Sequence, residues 1–308
     1  MNARLRTGPV RVLVPASSAN VGPGFDSMGL ALGVFDELVA MASDDPGVLV
    51  EVAGEGEADV PRDERHLVVQ AMNTAFEVMG VSPAGFVLRC RNAIPHGRGL
   101  GSSAAAIIGG MVLARAMVEG VDFDDDALLA AATTMESHPD NLAAALHGGF
   151  TVAWLTDDGQ PGALRLDPHA DIRAVLVVPV ETLPTVTARQ VLPDMVPHAS
   201  ASHNVARSAL LVHAMTQRPD LLWEATSDRL HQQARSGVYP ASVALVDRLR
   251  AAGLAAAVSG AGPSVIVLSA GGDAEDRVAT IVDGSSEWAV RAIPISPAGA
   301  HESPLDIA

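Results

Sequence analysis

The stretch Pro95-His96-Gly97-Arg98-Gly99-Leu100-Gly101-Ser102-Ser103-Ala104-Ala105 constrains this chain more than any other. Glycines at alternate positions admit backbone angles closed to other residues and let a ligand approach the main chain. The run enters residues 102–119 directly. There Ala, Ile, Met and Leu dominate, so the pattern predicts a helix that is apolar nearly all round and therefore buried. The free N–H groups and positive dipole at such a helix start suit a phosphate. Two serines at that point can add hydroxyl ligands to a phosphate or to Mg²⁺. No Gly-Lys-Ser/Thr follows, so this is not a Walker A loop. The glycine spacing differs from the dinucleotide fingerprint, and the acidic residue near 122 precedes another helix rather than ending a strand. The absence of a Gly-x-Ser-x-Gly elbow leaves a serine hydrolase built on Ser102 or Ser103 unsupported.

A buried helix needs layers around it, and the chain supplies them. Its 308 residues suggest about two domains. Strands are expected at 10–14, 28–42, 48–52, 86–90 and 148–154, with helices at 66–79, 127–135 and 141–146. Residues 15–26 read as a loop. The acidic residues Asp122, Asp124, Asp125 and Asp126 fit the cap and first turn of the helix that follows, better than a metal site. Around 156–162 the composition shifts to Asp, Gly and Pro, which places a domain boundary between 1–160 and 161–308. The second half reads as a strand at 172–179, helices at 203–215, 220–228 and 241–252, and two strands flanking 259–264. A last strand is expected at 288–295, its end confined to a sheet edge by Pro294. Residues 297–308 read as a loose tail. Alternating strands and helices make this an α/β or α+β chain.

Composition narrows the function. Thirty-six acidic against twenty basic residues give a net charge of −16, the wrong sign for a nucleic-acid binder, and ten aromatic residues offer little stacking surface. Cys90 is the only cysteine, which excludes intramolecular disulfides and cysteine-based zinc sites. The basic residues before Pro9 have no apolar run behind them, so no secretory signal is expected there. The uncharged stretch 251–272 is broken by glycines, serines and Pro263 and reads as strand, glycine loop, strand, not as a membrane span. A soluble cytoplasmic protein is expected.

Three further motifs carry polar chemistry. In Pro15-Ala16-Ser17-Ser18-Ala19-Asn20-Val21-Gly22-Pro23-Gly24-Phe25-Asp26, Asn20 and Asp26 bracket a Gly-Pro-Gly turn. They can hold the amino and hydroxyl groups of a small polar substrate, or simply bond their own backbone. Glu136-Ser137-His138-Pro139-Asp140-Asn141 is polar in an apolar neighbourhood. Glu136 suits Mg²⁺ as a hard ligand, while a helix end followed by a capped helix start explains the run equally well. Ser259-Gly260-Ala261-Gly262-Pro263-Ser264 can abut a phosphate or substrate, or serve as a tight strand connection.

Together the four runs stand in the order and spacing of the GHMP kinase family, which the chain resembles over roughly residues 10–296. The first motif with His138-Pro139-Asp140-Asn141 resembles the branch that phosphorylates an amino acid, not those acting on sugars or mevalonate. The resemblance implies a two-domain α/β (α+β) GHMP kinase fold. Its N-terminal ATP-binding domain carries a left-handed βαβ crossover, its C-terminal domain is ferredoxin-like, and nucleotide and substrate meet between them. The implied reaction is ATP-dependent phosphorylation of the side-chain hydroxyl of L-homoserine, on the way to threonine. Carried over, residues 95–105 wrap the ATP phosphates, with Arg98 adding to the local positive field. Ser103, with Ser102 beside it, and Glu136 hold Mg²⁺. Asn20, Asp26, His138, Asn141, Thr185 and Gly260 surround the amino acid, and Arg189 and Arg235 take its carboxylate. Asn141 orients the attacking hydroxyl, Asp140 and His138 are supportive, and the proton passes to the γ-phosphate. The resemblance also implies a homodimer. Another small-molecule kinase of the family and a non-catalytic sensor on the same fold are the rival readings.

Overall fold

The computed structural model describes residues 3–182, 185–282 and 287–305, without the side chains of Thr185 and Val186. In chain order the first half forms β1 (Arg4–Leu5), β2 (Val10–Ala19), β3 (Met28–Ser43), β4 (Gly47–Gly54), α1 (Leu67–Val78), β5 (Gly85–Asn92) and α2 (Ser102–Met117). There follow β6 (Val118–Glu119), α3 (Asp125–Met135), α4 (Pro139–His147) and the hairpin of β7 (Phe150–Leu155) with β8 (Pro161–Leu166). β3 organises the sheet. It pairs with β2 on one side, and on the other with β7 at its start and β5 at its end. β4 and β5 run parallel and are joined through α1, which makes the βαβ unit; the other strand pairs among the described residues are antiparallel.

The buried helix expected over 102–119 forms as α2 but ends at Met117, residues 118–119 pairing with β1 as β6. α2 lies between α1, α3, α4 and the sheet, with Ile107, Ile108, Met111, Leu113 and Met117 buried. Gly109 and Gly110 set its depth. A methyl group at Gly110 would lie 2.7 Å from the Val68 carbonyl of α1, and one at Gly109 would lie 2.6 Å from the Leu38 side chain of β3. The two helices therefore approach more closely than any side chain would permit. Asp124 caps α3 by accepting from Ala127 N (2.8 Å), the role read for that acidic cluster.

The second half forms β9 (Arg173–Pro179), α5 (Thr185–Gln190), α6 (His198–Thr216), α7 (Leu222–Ala225), α8 (Pro240–Ala251), β10 (Ala255–Val258), β11 (Val265–Ser269), α9 (Ala274–Val282), β12 (Trp288–Ile293) and β13 (His301–Glu302). Its antiparallel sheet has the order β10-β11-β9-β12. With α8 before β10 and α9 between β11 and β12, this is the split pattern of a ferredoxin-like domain. The unbroken apolar run of β9 follows from burial on both faces. Ala174 and Leu176 join the main core with α6, while Val175 and Val177 join a second core with α8 and α9.

Several expectations change. The strand begun at Val10 does not stop at Val14 but runs to Ala19, past a register shift between Pro15 and Ala16, so the Ser17-Ser18 pair is strand and not loop. Both serines are buried, Ser17 against Asn141 (2.8 Å) of the first half and Ser18 against Ser259 (2.8 Å) of the second. Residues 298–305, expected as a loose tail, are anchored. Ala300 N bonds Ala145 O, β13 pairs with β2, and Ser303 N bonds Arg11 O. The helix expected at 220–228 ends at Ala225, after which Asp228 caps the backbone of residues 230–232. β8, α5 and α9 had no counterpart in the pattern reading. The expected 160/161 division lies at the β7–β8 hairpin, whose two strands pair with each other in the first sheet. Among the described residues, no helix is long and apolar enough to cross a membrane.

Candidate active site

The glycine loop is held from behind. Gly97, Gly99 and Gly101 adopt φ of 64°, 71° and 67°, the left-handed region that favours glycine. Gly101 is the N-cap of α2, and a methyl group there would lie 2.0 Å from Ser17 Oγ. Asp36 of β3 accepts from Ala93 N (2.7 Å) and Ile94 N (2.9 Å) and so fixes the entry to the loop. Ser17 N donates to the Leu100 carbonyl (3.1 Å), and Ser259 Oγ donates to the Gly99 carbonyl (2.7 Å). Burial pushes the Asp36 carboxyl up to about 6, against those two backbone donors. Arg98 departs from its expected part. Its Nε donates to Pro179 O (2.9 Å) and its Nη2 to Val180 O (2.8 Å), so the guanidinium straps the loop to the end of β9.

One cleft gathers most of the motif residues. Gly97, Gly99, Leu100, Gly101, Ser102 and Ser103 line it from the loop, Glu136 from the end of α3, Asp140 and Asn141 from the start of α4, Asn20 and Gly260 from the two turns, and Arg189 and Arg235 from the second half. Ser103 Oγ donates to Glu136 Oε2 (2.9 Å). Burial raises the Glu136 carboxyl, partly offset by that hydroxyl and by Arg189. Asp140 is buried, and burial together with the charges of Asp26 and Glu136 lifts it to about 7. Its Oδ1 accepts from Asn141 N (2.7 Å), and Asn141 Oδ1 accepts from Ser17 Oγ (2.8 Å).

The turn after β2 is strained. Asn20, Val21 and Asp26 have φ of 68°, 45° and 54°, unusual for non-glycine residues and especially for a β-branched one. Asn20 shapes the turn and docks it. Its Oδ1 accepts from Asp26 N (3.0 Å) and its Nδ2 donates to Gly260 O (2.8 Å), while Gly260 N donates to Ala19 O (3.0 Å). Arg189 grips Asp26 through both terminal nitrogens (2.7 and 3.2 Å). The guanidinium carbons of Arg189 and Arg235 lie 6.0 and 5.8 Å from the centre of the Phe25 ring. His138 sits half-buried just ahead of α4, its basicity lowered by burial and Arg189 and raised by Asp26. Thr185 opens α5, but its side chain lies outside the described residues.

Pattern reading missed a second cleft. Val14, Leu38, Val60, Pro61, His66 and Asn92 wall an apolar space beside the loop, and Ser102 and Ser103 border both clefts. The apolar pair Val60-Pro61, in the connection between β4 and α1, was the available signal. Asp36, Ser17, Ser259 and His231 were also missed. Two of them stood within quoted motifs, but nothing in sequence spacing shows which serine turns inward.

The residues that could hold a cation are few. Among the described residues no three His, Cys, Asp or Glu side chains cluster as a metal site. Ser103 and Glu136 nevertheless fit a hard ion whose remaining ligands are phosphate and water, since Glu136 is a destabilised carboxylate faced by a hydroxyl.

A strained turn, a glycine loop opening a buried helix, and a cleft between a βαβ-containing sheet and a ferredoxin-like domain define a small-molecule kinase architecture. The model of the GHMP kinases N terminal domain matches residues 66–149, and that of the GHMP kinases C terminal domain matches 209–285. Homoserine kinase of Streptomyces avermitilis is 49% identical over 302 residues, covering 97% of this chain and 97% of its own. That of Streptomyces coelicolor is 49% identical over 302 residues, covering 97% and 96%. The chain belongs to the GHMP kinases and, within them, to the homoserine kinases. The crystal structure of homoserine kinase from Cytophaga hutchinsonii superposes with a TM-score of 0.85 at 26% identity, covering 97% of this chain and 98% of that one. Mevalonate kinase of L. major in complex with R-mevalonate shares the fold at 14% identity, with a TM-score of 0.67 and coverage of 96% and 98%.

Proposed function

We propose that this protein transfers the γ-phosphoryl group of ATP to the side-chain hydroxyl of L-homoserine, yielding O-phospho-L-homoserine for threonine biosynthesis. The observation that carries the reading is the position of Ser102 and Ser103. They lie at the start of α2, between an apolar cleft fit for a nucleoside and a polar cleft lined by Asn141 and two arginines.

Phosphoryl transfer asks the protein for position and charge more than for covalent chemistry. The amides of residues 97–103 and the dipole of α2 receive the phosphates. Ser103 and Glu136 would hold Mg²⁺, which would supply positive charge to offset that of the phosphates. Asp26, Asn20 and His138 meet the ammonium end of the amino acid, with Thr185 and Gly260 beside it. Arg189 and Arg235 take the carboxylate. Asn141, fixed by Ser17, orients the hydroxyl. Asp140 fixes Asn141 through its backbone N–H, and the hydroxyl proton passes to an oxygen of the γ-phosphoryl group as that group bonds the substrate oxygen and parts from ADP.

The test is ADP release with homoserine, mevalonate and galactose, each with and without Mg²⁺. Turnover confined to homoserine and Mg²⁺ supports the reading. Preference for another alcohol, or nucleotide binding with no turnover of any of the three, overturns it.

A further inference from the structure

Arg235 is 1% exposed, and such a buried cation needs firm partners. Its Nε donates to the Ala188 carbonyl (2.9 Å), and its Nη1 donates to Nδ1 of His231 (2.8 Å). The opposite nitrogen of the same ring, Nε2, donates to the Gly22 carbonyl (2.7 Å). A guanidinium can only donate and a carbonyl can only accept, so the ring must be neutral with its proton on Nε2. His231 is 1% exposed, and burial with the charge of Arg235 lowers its basicity in the same sense, against Asp228 and Asp26. The ring also stacks on Phe25 at 5.2 Å between centroids. Asp228 accepts from the backbone N–H groups of Leu230, His231 and Gln232 (3.0, 3.1 and 2.9 Å), which holds the segment carrying the imidazole.

We infer that His231 is a positioning residue, a neutral Nε2–H spacer that sets the distance between the strained 20–26 turn and the Arg235 guanidinium. It thereby aligns the two ends of the amino-acid site. The turn presents Asn20 and Asp26, Arg235 comes from the other half of the molecule, and the ring touches both. A methyl group at Gly22 would lie 2.4 Å from the Thr226 carbonyl, so the turn is pressed against the segment leading to His231 and has little room to drift. The inference rests on the proposed role of Arg235 toward the substrate carboxylate.

The experiment compares wild type, His231→Gln, His231→Asn and Arg235→Ala by steady-state kinetics for both substrates. In His231→Asn the amide Oδ1 takes the place of the ring Nδ1 as acceptor for Arg235, whereas the longer amide of His231→Gln extends past that point. His231→Gln is expected to raise KM for homoserine about tenfold or more, as for a lost hydrogen bond to a charged group. KM for ATP stays within about twofold, and His231→Asn, which keeps an acceptor for Arg235 but loses the donor to Gly22, shares the defect. In the Arg235→Ala background, His231→Gln adds nothing further, because it acts through that arginine. A wild-type KM for homoserine in either the Gln or the Asn variant, a matching rise in KM for ATP, or independent multiplication of the two losses would overturn the inference. Should Arg235→Ala leave KM for homoserine unchanged, the reading of the site itself fails instead. Nitrogen-15 shifts of the wild-type imidazole give a test free of folding defects. A neutral Nε2–H ring from pH 6 to 8 is expected, and an imidazolium or an Nδ1–H ring overturns the assignment.

Discussion

Asp140 and Asn141 are neighbours with opposite tasks. Asp140 is a carboxyl forced into a buried place beside Asp26 and Glu136 and lifted to about 7 from an ordinary value of 3.8. A raised carboxyl binds its proton more tightly folded than unfolded, so its contribution to stability is complete below about pH 4 and is lost as pH rises through 7. Asp140→Asn cannot ionise. We expect the melting temperature of the variant minus that of wild type to grow steadily from pH 4 to pH 8, by the equivalent of a few kcal/mol. Asp36, lifted to about 6, titrates alike in both proteins and cancels in the difference. A flat difference would contradict the burial argument. Because Asn keeps an oxygen for the Asn141 N–H, the same variant should lose less than about tenfold in kcat, below the roughly 100-fold at which general-base effects begin. Asn141→Ala removes the oriented amide and Arg235→Ala a buried guanidinium, and each should lose about 100-fold or more in kcat/KM. Collapse of turnover in Asp140→Asn with the fold intact would make Asp140 the base.

At the scale of elements, legibility followed burial geometry. α2 and β9 were plain in the sequence because their environments are uniform: apolar neighbours surround α2, and cores cover both faces of β9. The serines of β2 misled because polar side chains in a strand look like loop until their partners across the cleft, Asn141 and Ser259, are in place. The tail misled for a related reason. Its anchors are backbone bonds to Ala145 and Arg11, which no side-chain pattern records. Of the site, the loop and the polar motifs were legible as motifs. Arg98, Asp36 and His231 were not, since their parts depend on carbonyls and amides brought near by folding. The tail also bears on α4. A methyl group at Gly299 would lie 2.0 Å from the Leu146 carbonyl of the helix that begins with Asp140 and Asn141. Gly299→Val should therefore lower both stability, by about 1–3 kcal/mol of overpacking, and kcat. An unchanged kcat alongside a lowered melting temperature would show that the tail supports α4 without aligning it.

Across the whole molecule, the site exists only where the two halves meet. Ser18 with Ser259, Asn20 with Gly260 and Arg98 with Pro179 and Val180 tie the first half to the second at the loop itself. A net charge of −16 gives no general attraction for an anionic nucleotide, so local amides and dipoles must supply it. Arg98→Ala removes a strap rather than a phosphate contact. We expect KM for ATP and KM for homoserine to rise together, by about three- to tenfold for one or two lost bonds. A rise confined to ATP would return Arg98 to the phosphates.

The closing strand β13 lies on the outer edge of β2, and Arg6 meets Glu302 at 2.8 Å. The first and last described segments are thus neighbours, and the ferredoxin-like unit is spliced into the first sheet and not hung from its end. Joining the ends by a short flexible linker and opening the polypeptide at the exposed Gly159 turn should give a circular permutant that still phosphorylates its substrate. A two-piece expression cut at the same turn should reassemble only if the carboxy-terminal piece keeps its final strand, which the recovered activity of the mixed fragments would reveal.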